Sequence, residues 1–189
     1  FRSIAAATYF CYSYNKYLKH CLLYKMQGGG KSMKRIYFYQ TAIGKIAIEE
    51  NGKAITRVYF PNDEIPRDIT VEETDLLKEA GKQLKAYLSG DIQKFTLPLE
   101  YEGTEFMQLV WKSLGEIPYG ETRCYQDIAE LINKPKAVRA VGLANNRNPL
   151  PIFIPCHRVI GKNGKLTGYA GGLEVKDYLL SLEKKHGLL

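Results

Sequence analysis

The chain lacks the features that would tie it to a membrane or to a covalent framework. No stretch of its 189 residues approaches the run of about 18–20 apolar residues that a membrane-spanning helix needs. Its four cysteines follow no regular spacing, so they do not build a disulfide scaffold, and a reducing, cytoplasmic compartment is expected. Repeats and low-complexity segments are absent. A phosphate-binding loop is excluded as well: Gly30-Lys31-Ser32 has the right ending, but the glycine required five positions before Gly30 is Lys25. Cys11, His20 and Cys21 match no usual zinc spacing.

Acidic residues are also missing from one place. Residues 1–32 hold five basic and no acidic side chains, together with Tyr9, Tyr12, Tyr14, Tyr17 and Tyr24. This stretch ends in Gly28-Gly29-Gly30-Lys31-Ser32 before Met33, which is what a purine-rich ribosome-binding site would spell if translated. Residues 1–32 therefore read as a non-native extension, with Met33 as the natural start. N-terminal sequencing of protein made from its native message checks this.

What remains is ordinary for a globular protein: 45% hydrophobic and 25% charged residues, enough chain for one domain or two small ones. The net charge of +7 is unevenly placed. It is +5 over residues 1–32, −3 over 33–120, +5 over 121–169 and zero over 170–189. Positive charge gathered in 121–169 favours a polyanion, although a solvated basic face is the commoner cause of such a cluster.

From Met33 onward the pattern divides in two. Residues 33–101 read as a small sheet with a helix. Arg35–Tyr39, Lys45–Glu49 and Ala54–Phe60 are expected strands, with Asn51-Gly52 as a hairpin signal; a helix spans 72–88 and stops at Gly90, and Ile92–Leu99 adds a further strand. This part carries no evident chemistry and reads as scaffold. Residues 102–189 read as mostly helical. Thr104 caps a first helix, Thr122 opens a second through Tyr125, Ile128 and Ile132, and a third runs from Lys136 to about Asn145. The last two, joined by a short turn, suit a helix-turn-helix.

The third helix lacks the Asn, Gln and Arg pairs that read base edges. Its Val138-Arg139-Ala140-Val141-Gly142-Leu143-Ala144 is small and apolar around one long cation. Gly142 costs about 1 kcal/mol of helix propensity, so this helix is either one that docks closely on a shape or a core helix with a surface arginine.

Next comes Asn148-Pro149-Leu150-Pro151-Ile152-Phe153-Ile154-Pro155-Cys156-His157-Arg158-Val159. Its three prolines stiffen the backbone, and Ile152–Ile154 is expected to be a buried strand. The stretch ends in a thiol followed by an imidazole and a guanidinium. A Cys-His dipeptide alone fits a buried inert cysteine, a hydrolase nucleophile or another activated thiol. In the final helix, Val175, Leu179 and Glu183 share one stripe, which places a carboxylate in line with apolar residues near a helix C-terminus, where negative charge is disfavoured. Glu183 needs a partner, structural or catalytic.

Several motifs in this order and spacing resemble one family, the O6-alkylguanine–DNA alkyltransferases: Pro118-Tyr119-Gly120, Thr122 with Tyr125, Arg139-Ala140-Val141-Gly142, Asn148-Pro149 with Pro151, Pro155-Cys156-His157-Arg158, and Tyr169-Ala170-Gly171-Gly172-Leu173. The resemblance implies an α+β fold, with a ribonuclease H-like sheet-and-helix domain followed by a helix-turn-helix domain that carries the cysteine. It implies flipping of an alkylated guanine out of duplex DNA and irreversible, stoichiometric transfer of the O6-alkyl group (or that on O4 of thymine) to Cys156.

By position, His157 would take the thiol proton through a bridging water, with Glu183 holding His157. Tyr125 would donate to guanine N3, and Arg139 would fill the space the base leaves. Thr122, Ala140 and Gly142 would meet DNA. Pro151 and Tyr169 would wall the pocket, and backbone groups at Cys156, Val159 and Ala170 would bond the base edge. Asn148 and Arg158 would be structural, Asn148 tying the helix-turn-helix to the cysteine strand. Ala170 replaces a serine found in some members. The zinc ligands of some animal members have no counterpart, so no metal and no cofactor are expected, and the protein is expected to be monomeric. A non-catalytic lesion binder of the same fold would need the cysteine replaced; a helix-turn-helix regulator would need a dimerisation or effector module.

Overall fold

The computed structural model describes residues 34–187. Met33, the extension before it with Cys11, His20 and Cys21, and residues 188–189 lie outside the described residues.

Alternating residues build the first sheet. β1 (Arg35–Thr41) and β2 (Gly44–Glu50) pair antiparallel from Arg35↔Glu50 to Thr41↔Gly44, and β3 (Ile55–Tyr59) pairs antiparallel with β2. The Asn51-Gly52 signal does mark a connection, but a longer one than a two-residue turn: Asn51 Oδ1 accepts from the Lys53 and Ala54 N–H groups at 3.1 and 3.0 Å. A short β4 (Thr70–Val71) adds parallel to β1, giving the order β3-β2-β1-β4.

Helix α1 (Asp75–Ser89) starts where the Thr74 side chain accepts from Leu77 N–H and stops at Gly90, which takes φ +85°. It buries Leu77, Ala80, Leu84, Tyr87 and Leu88, each large aliphatic contributing about 1.5–3 kcal/mol by leaving water.

The expected strand over Ile92–Leu99 does not form. Pro98 has no N–H to give to a ladder, and the segment meets β3 only at one bridge, Ile55↔Leu99. The free edge of β3 is closed instead by two carbonyls, Pro98 O accepting from Ile55 N–H and Pro149 O accepting from Val58 N–H, both at 2.9 Å. The sheet is thereby bonded directly to the segment that leads into Cys156.

In the second half, Thr104 caps α2 (Glu105–Gly115) as expected, accepting from Met107 N–H at 3.3 Å. Thr122 does not open the next helix. It precedes a short strand, β5 (Arg123–Cys124), and α3 (Tyr125–Leu131) begins after it, the Asp127 carboxylate accepting from Cys124 N–H at 2.7 Å. The acidic side chain three residues in satisfies the donor that Thr122 was expected to serve. Asn133, at φ +57°, turns the chain into α4 (Val138–Asn146). A strand β6 (Val159–Ile160) pairs parallel with β5, and α5 (Leu173–His186) closes the chain.

One apolar core runs through both halves, from Tyr39, Ile46 and Leu84 through Trp111, Val141 and Ile154 to Leu179. Among the described residues no helix is long and apolar enough to cross a membrane.

Candidate active site: a buried thiol backed by an imidazole and a carboxylate

The expected strand over Ile152–Ile154 is a tight turn. Ile152 sits at φ +77°, and Ile154 N–H bonds Leu150 O at 2.8 Å. The flanking prolines deny this segment the donors that a ladder requires. Positive φ on a buried β-branched residue costs on the order of 1–3 kcal/mol, which packing on all sides of Ile152 offsets. Cys156–Arg158 is a single 3-10 turn. With about three residues per turn, the Cys156 and His157 side chains diverge by about a third of a revolution and not by the half-turn of an extended strand.

Asn148 Nδ2 donates to Ile154 O at 2.9 Å, and its Oδ1 accepts from Leu150 N–H at 3.0 Å. It braces the turn internally. The bond from the helix-turn-helix to the cysteine comes from Asn145 of α4, which donates to Cys156 O at 3.4 Å. The tie expected of Asn148 is thus shared with a neighbour that the sequence reading did not single out.

Behind the thiol lies a saturated carboxylate. Glu183 is fully buried on α5. Its Oε1 accepts from His157 Nε2 at 2.6 Å, from Arg158 Nη2 at 3.0 Å and from the Tyr87 hydroxyl. Its Oε2 accepts from Arg158 Nε at 2.8 Å and from Gly120 N–H at 3.0 Å. Burial alone would raise this carboxyl; the bond from His157, then the bonds and charge of Arg158, outweigh it and bring the pKa down to about 2. The site is a buried anion with a buried guanidinium laid bidentate against it. Arg158 also donates to Ile117 O at 2.6 Å, so its guanidinium faces the interior.

This arrangement fixes the imidazole. With Nε2 donating to Glu183, Nδ1 carries the lone pair, and it has no partner among the described residues. Burial holds His157 below its ordinary pKa against the opposing pull of Glu183, so the ring is neutral and able to accept a proton. Burial also pushes the Cys156 thiol up to about 11, against lowering contributions from Asn148, from the Lys176 charge and from backbone N–H groups. The thiol rests protonated and needs a base. Lys176 is buried, and its Nζ donates to Val159 O at 2.6 Å and Thr167 O at 2.9 Å, which pins β6 to the following loop.

Tyr125, at the start of α3, is held near the cysteine turn because β5 ends beside β6; its hydroxyl lies 2.8 Å from Thr167 Oγ1. Pro151, Val159 and Tyr169 are buried around the turn, and Tyr169 packs edge-on to His157 at 6.3 Å between ring centroids. Ala170 is exposed beside them. Arg139 and Ala140 project from α4 into solvent, Gly142 is partly covered, and Thr122 is exposed ahead of β5. They lie on the helix-turn-helix, outside the buried relay. A Cβ on Gly142 would sit 3.7 Å from the Tyr125 ring, an ordinary contact, so nothing within the protein requires glycine there.

The comparisons with known proteins agree with this geometry. Residues 35–101 match the family described as "6-O-methylguanine DNA methyltransferase, ribonuclease-like domain", and residues 105–185 match its "DNA binding domain" counterpart. The chain is 52% identical over 151 residues to the methylated-DNA–protein-cysteine methyltransferase of Methanosarcina barkeri, covering 78% of this chain and 95% of that one. It is 49% identical over 152 residues to the constitutive enzyme of that name in Bacillus subtilis, covering 77% and 92%. Among solved structures, the Mycobacterium tuberculosis OGT in complex with DNA superposes with a TM-score of 0.77 at 43% identity, over 80% of this chain and 94% of that one. Both halves of the chain are thus matched together. The chain belongs to the 6-O-methylguanine DNA methyltransferase family.

Proposed function

We propose that the protein reverses O6-alkylation of guanine in double-stranded DNA by moving the alkyl group to Cys156, once per chain. The observation that carries this reading is the oriented His157: Nε2 committed to Glu183, and Nδ1 left as an acceptor on the residue that follows a buried thiol in need of deprotonation.

His157 Nδ1 takes the thiol proton through a bridging water. Sγ then attacks the methyl carbon, a C–S bond forms, and the C–O6 bond breaks with its electron pair remaining on the base. Tyr125 donates at N3 as that charge develops, and the base is restored as neutral guanine on protonation. The thioether offers no comparable leaving group, so the chain is spent. A thiol this deeply buried cannot reach an atom inside the base stack, which supports base flipping. Arg139, exposed on α4, is suited to occupy the vacated space, while Ala140, Gly142 and Thr122 let backbone come near phosphate. The family and the absence of a spanning helix among the described residues fit a cytoplasmic protein acting on DNA.

Incubation with an O6-methylguanine duplex followed by intact-protein mass spectrometry tests the reading. One methyl per chain is expected, mapped to Cys156 and absent in Cys156→Ala. Repeated turnover, or folded protein that gains no mass, refutes it.

A further inference from the structure

The half of the chain that read as scaffold reaches into the relay. Tyr87 lies on α1 and is buried. Its hydroxyl donates to Glu183 Oε1, the same oxygen that accepts the His157 Nε2–H bond, and it stands 3.4 Å from His157 Nε2. Its ring is held between Phe95, at 4.9 Å between centroids, and Tyr119, edge-on at 5.9 Å. No bond that Tyr87 makes within its own half explains a hydroxyl placed there.

We infer that Tyr87 is a positioning residue of the alkyl-transfer reaction, supplied by the N-terminal half to set the tautomer and basicity of His157 through Glu183. This rests on the proton relay proposed above. Two features of the geometry lead to it. First, Nε2 of His157 is enclosed by a carboxylate oxygen and by a hydroxyl whose proton is already committed to that oxygen. No donor is left for Nε2 to accept from, so the ring must donate there and keep its lone pair on Nδ1.

Second, a donor on Oε1 neutralises part of the charge that would stabilise an imidazolium. Tyr87 therefore keeps His157 a neutral, ready base instead of a protonated one. Burial and the Glu183 charge hold the phenol above its ordinary range, so it remains a donor throughout the working pH.

The charged and titratable groups facing this pair come from four segments. They are Glu183 and Lys176 on α5, Arg158 and Cys156 on the 3-10 turn, Tyr169 on the loop before α5, and Tyr119 before β5. Lys176 and Arg158 already oppose protonation of His157, and Glu183 alone favours it. Tyr87 acts on the one group that pulls the other way.

The test is the single-turnover rate of methyl transfer from an O6-methylguanine duplex as a function of pH, for the wild type and Tyr87→Phe. The phenylalanine keeps the ring packing and removes only the hydroxyl. With one donor fewer on Glu183, the acid limb of the profile should move to higher pH by about half a unit to one unit, the equivalent of one hydrogen bond. The rate on the acid limb, below the wild-type midpoint, should fall about threefold to tenfold, with one methyl per chain still gained at completion.

Site-specific replacement of Tyr87 by 3-fluorotyrosine keeps the hydroxyl and strengthens it as a donor. It should move the limb to lower pH, and it carries the test if the phenylalanine variant does not fold. Wild-type transfer with an acid limb unmoved by either replacement overturns the assignment of Tyr87 and leaves the alkyltransferase reading intact. A wild-type chain that gains no methyl at any pH overturns the alkyltransferase reading itself.

Discussion

Replacing Glu183 by glutamine changes one atom and should unsettle both the fold and the chemistry. Arg158 is buried against this carboxylate through contacts of 2.8 and 3.0 Å. Glutamine removes the countercharge and turns one of two acceptor oxygens into a donor, leaving a guanidinium whose other partner is the Ile117 carbonyl. Removing one member of a buried ion pair costs about 3–5 kcal/mol. For a chain of this size that corresponds to a melting temperature lower by about 6–20 °C.

The pH dependence gives the loss a signature. The carboxyl sits at about 2 folded against 4.5 in its ordinary state, which is on the order of 3 kcal/mol of stability. Because the folded value is the lower one, that contribution is complete above pH 4.5 and drains away as pH falls through about 2. Wild type and Glu183→Gln should therefore differ most near neutrality and converge in acid, where the wild-type residue is itself uncharged. Denaturant melts at a series of pH values measure both curves. A melting temperature within about 2 °C of wild type, or a difference that does not shrink below pH 4, would show that Glu183 does not anchor Arg158 electrostatically. Methyl transfer by the variant, measured where it is folded, should be slowed, because the amide holds His157 without its charge.

Two further outcomes concern the DNA-facing helix. Arg139→Ala should reduce transfer from duplex DNA far more than transfer from the free alkylated base; equal losses in a side-by-side rate assay would remove Arg139 from the flipping step. Gly142→Ala meets only ordinary contact with Tyr125, so it should raise stability by up to about 1 kcal/mol. It should at the same time weaken duplex binding measured by anisotropy; unchanged binding would show that no close backbone approach takes place there.

Much of the fold was legible because its elements rest on local signals. Leu77, Ala80, Leu84, Tyr87 and Leu88 at helical spacing, with Gly90 after them, define α1, and Thr104 caps α2. The misreadings fall where a proline or a side chain overrides pattern. Ile152–Ile154 and Ile92–Leu99 are apolar enough for strands but are interrupted or flanked by residues without an N–H, and Thr122 yields the cap to Cys124 because Asp127 reaches back.

The relay was half legible. Glu183 drew attention by sitting on an apolar stripe against the helix dipole, and Cys156 and His157 by adjacency. Tyr87, Asn145, Thr167 and Lys176 were not seen, because each matters through a partner far away in sequence. Only the general need of a buried hydroxyl or ammonium for partners could have flagged Tyr87 and Lys176.

Five donors converge on Glu183, and they come from residues 96, 63, 26 and 25 positions away. Contacts that close such loops carry the entropic cost of bringing distant segments together. The base beside Cys156 is thus oriented only where α1, the turn before β5, the cysteine turn and α5 are packed together. A nascent or partly unfolded chain holds an ordinary cysteine with no oriented imidazole. For a protein that can react only once, this delays competence until the DNA-binding surface is also complete.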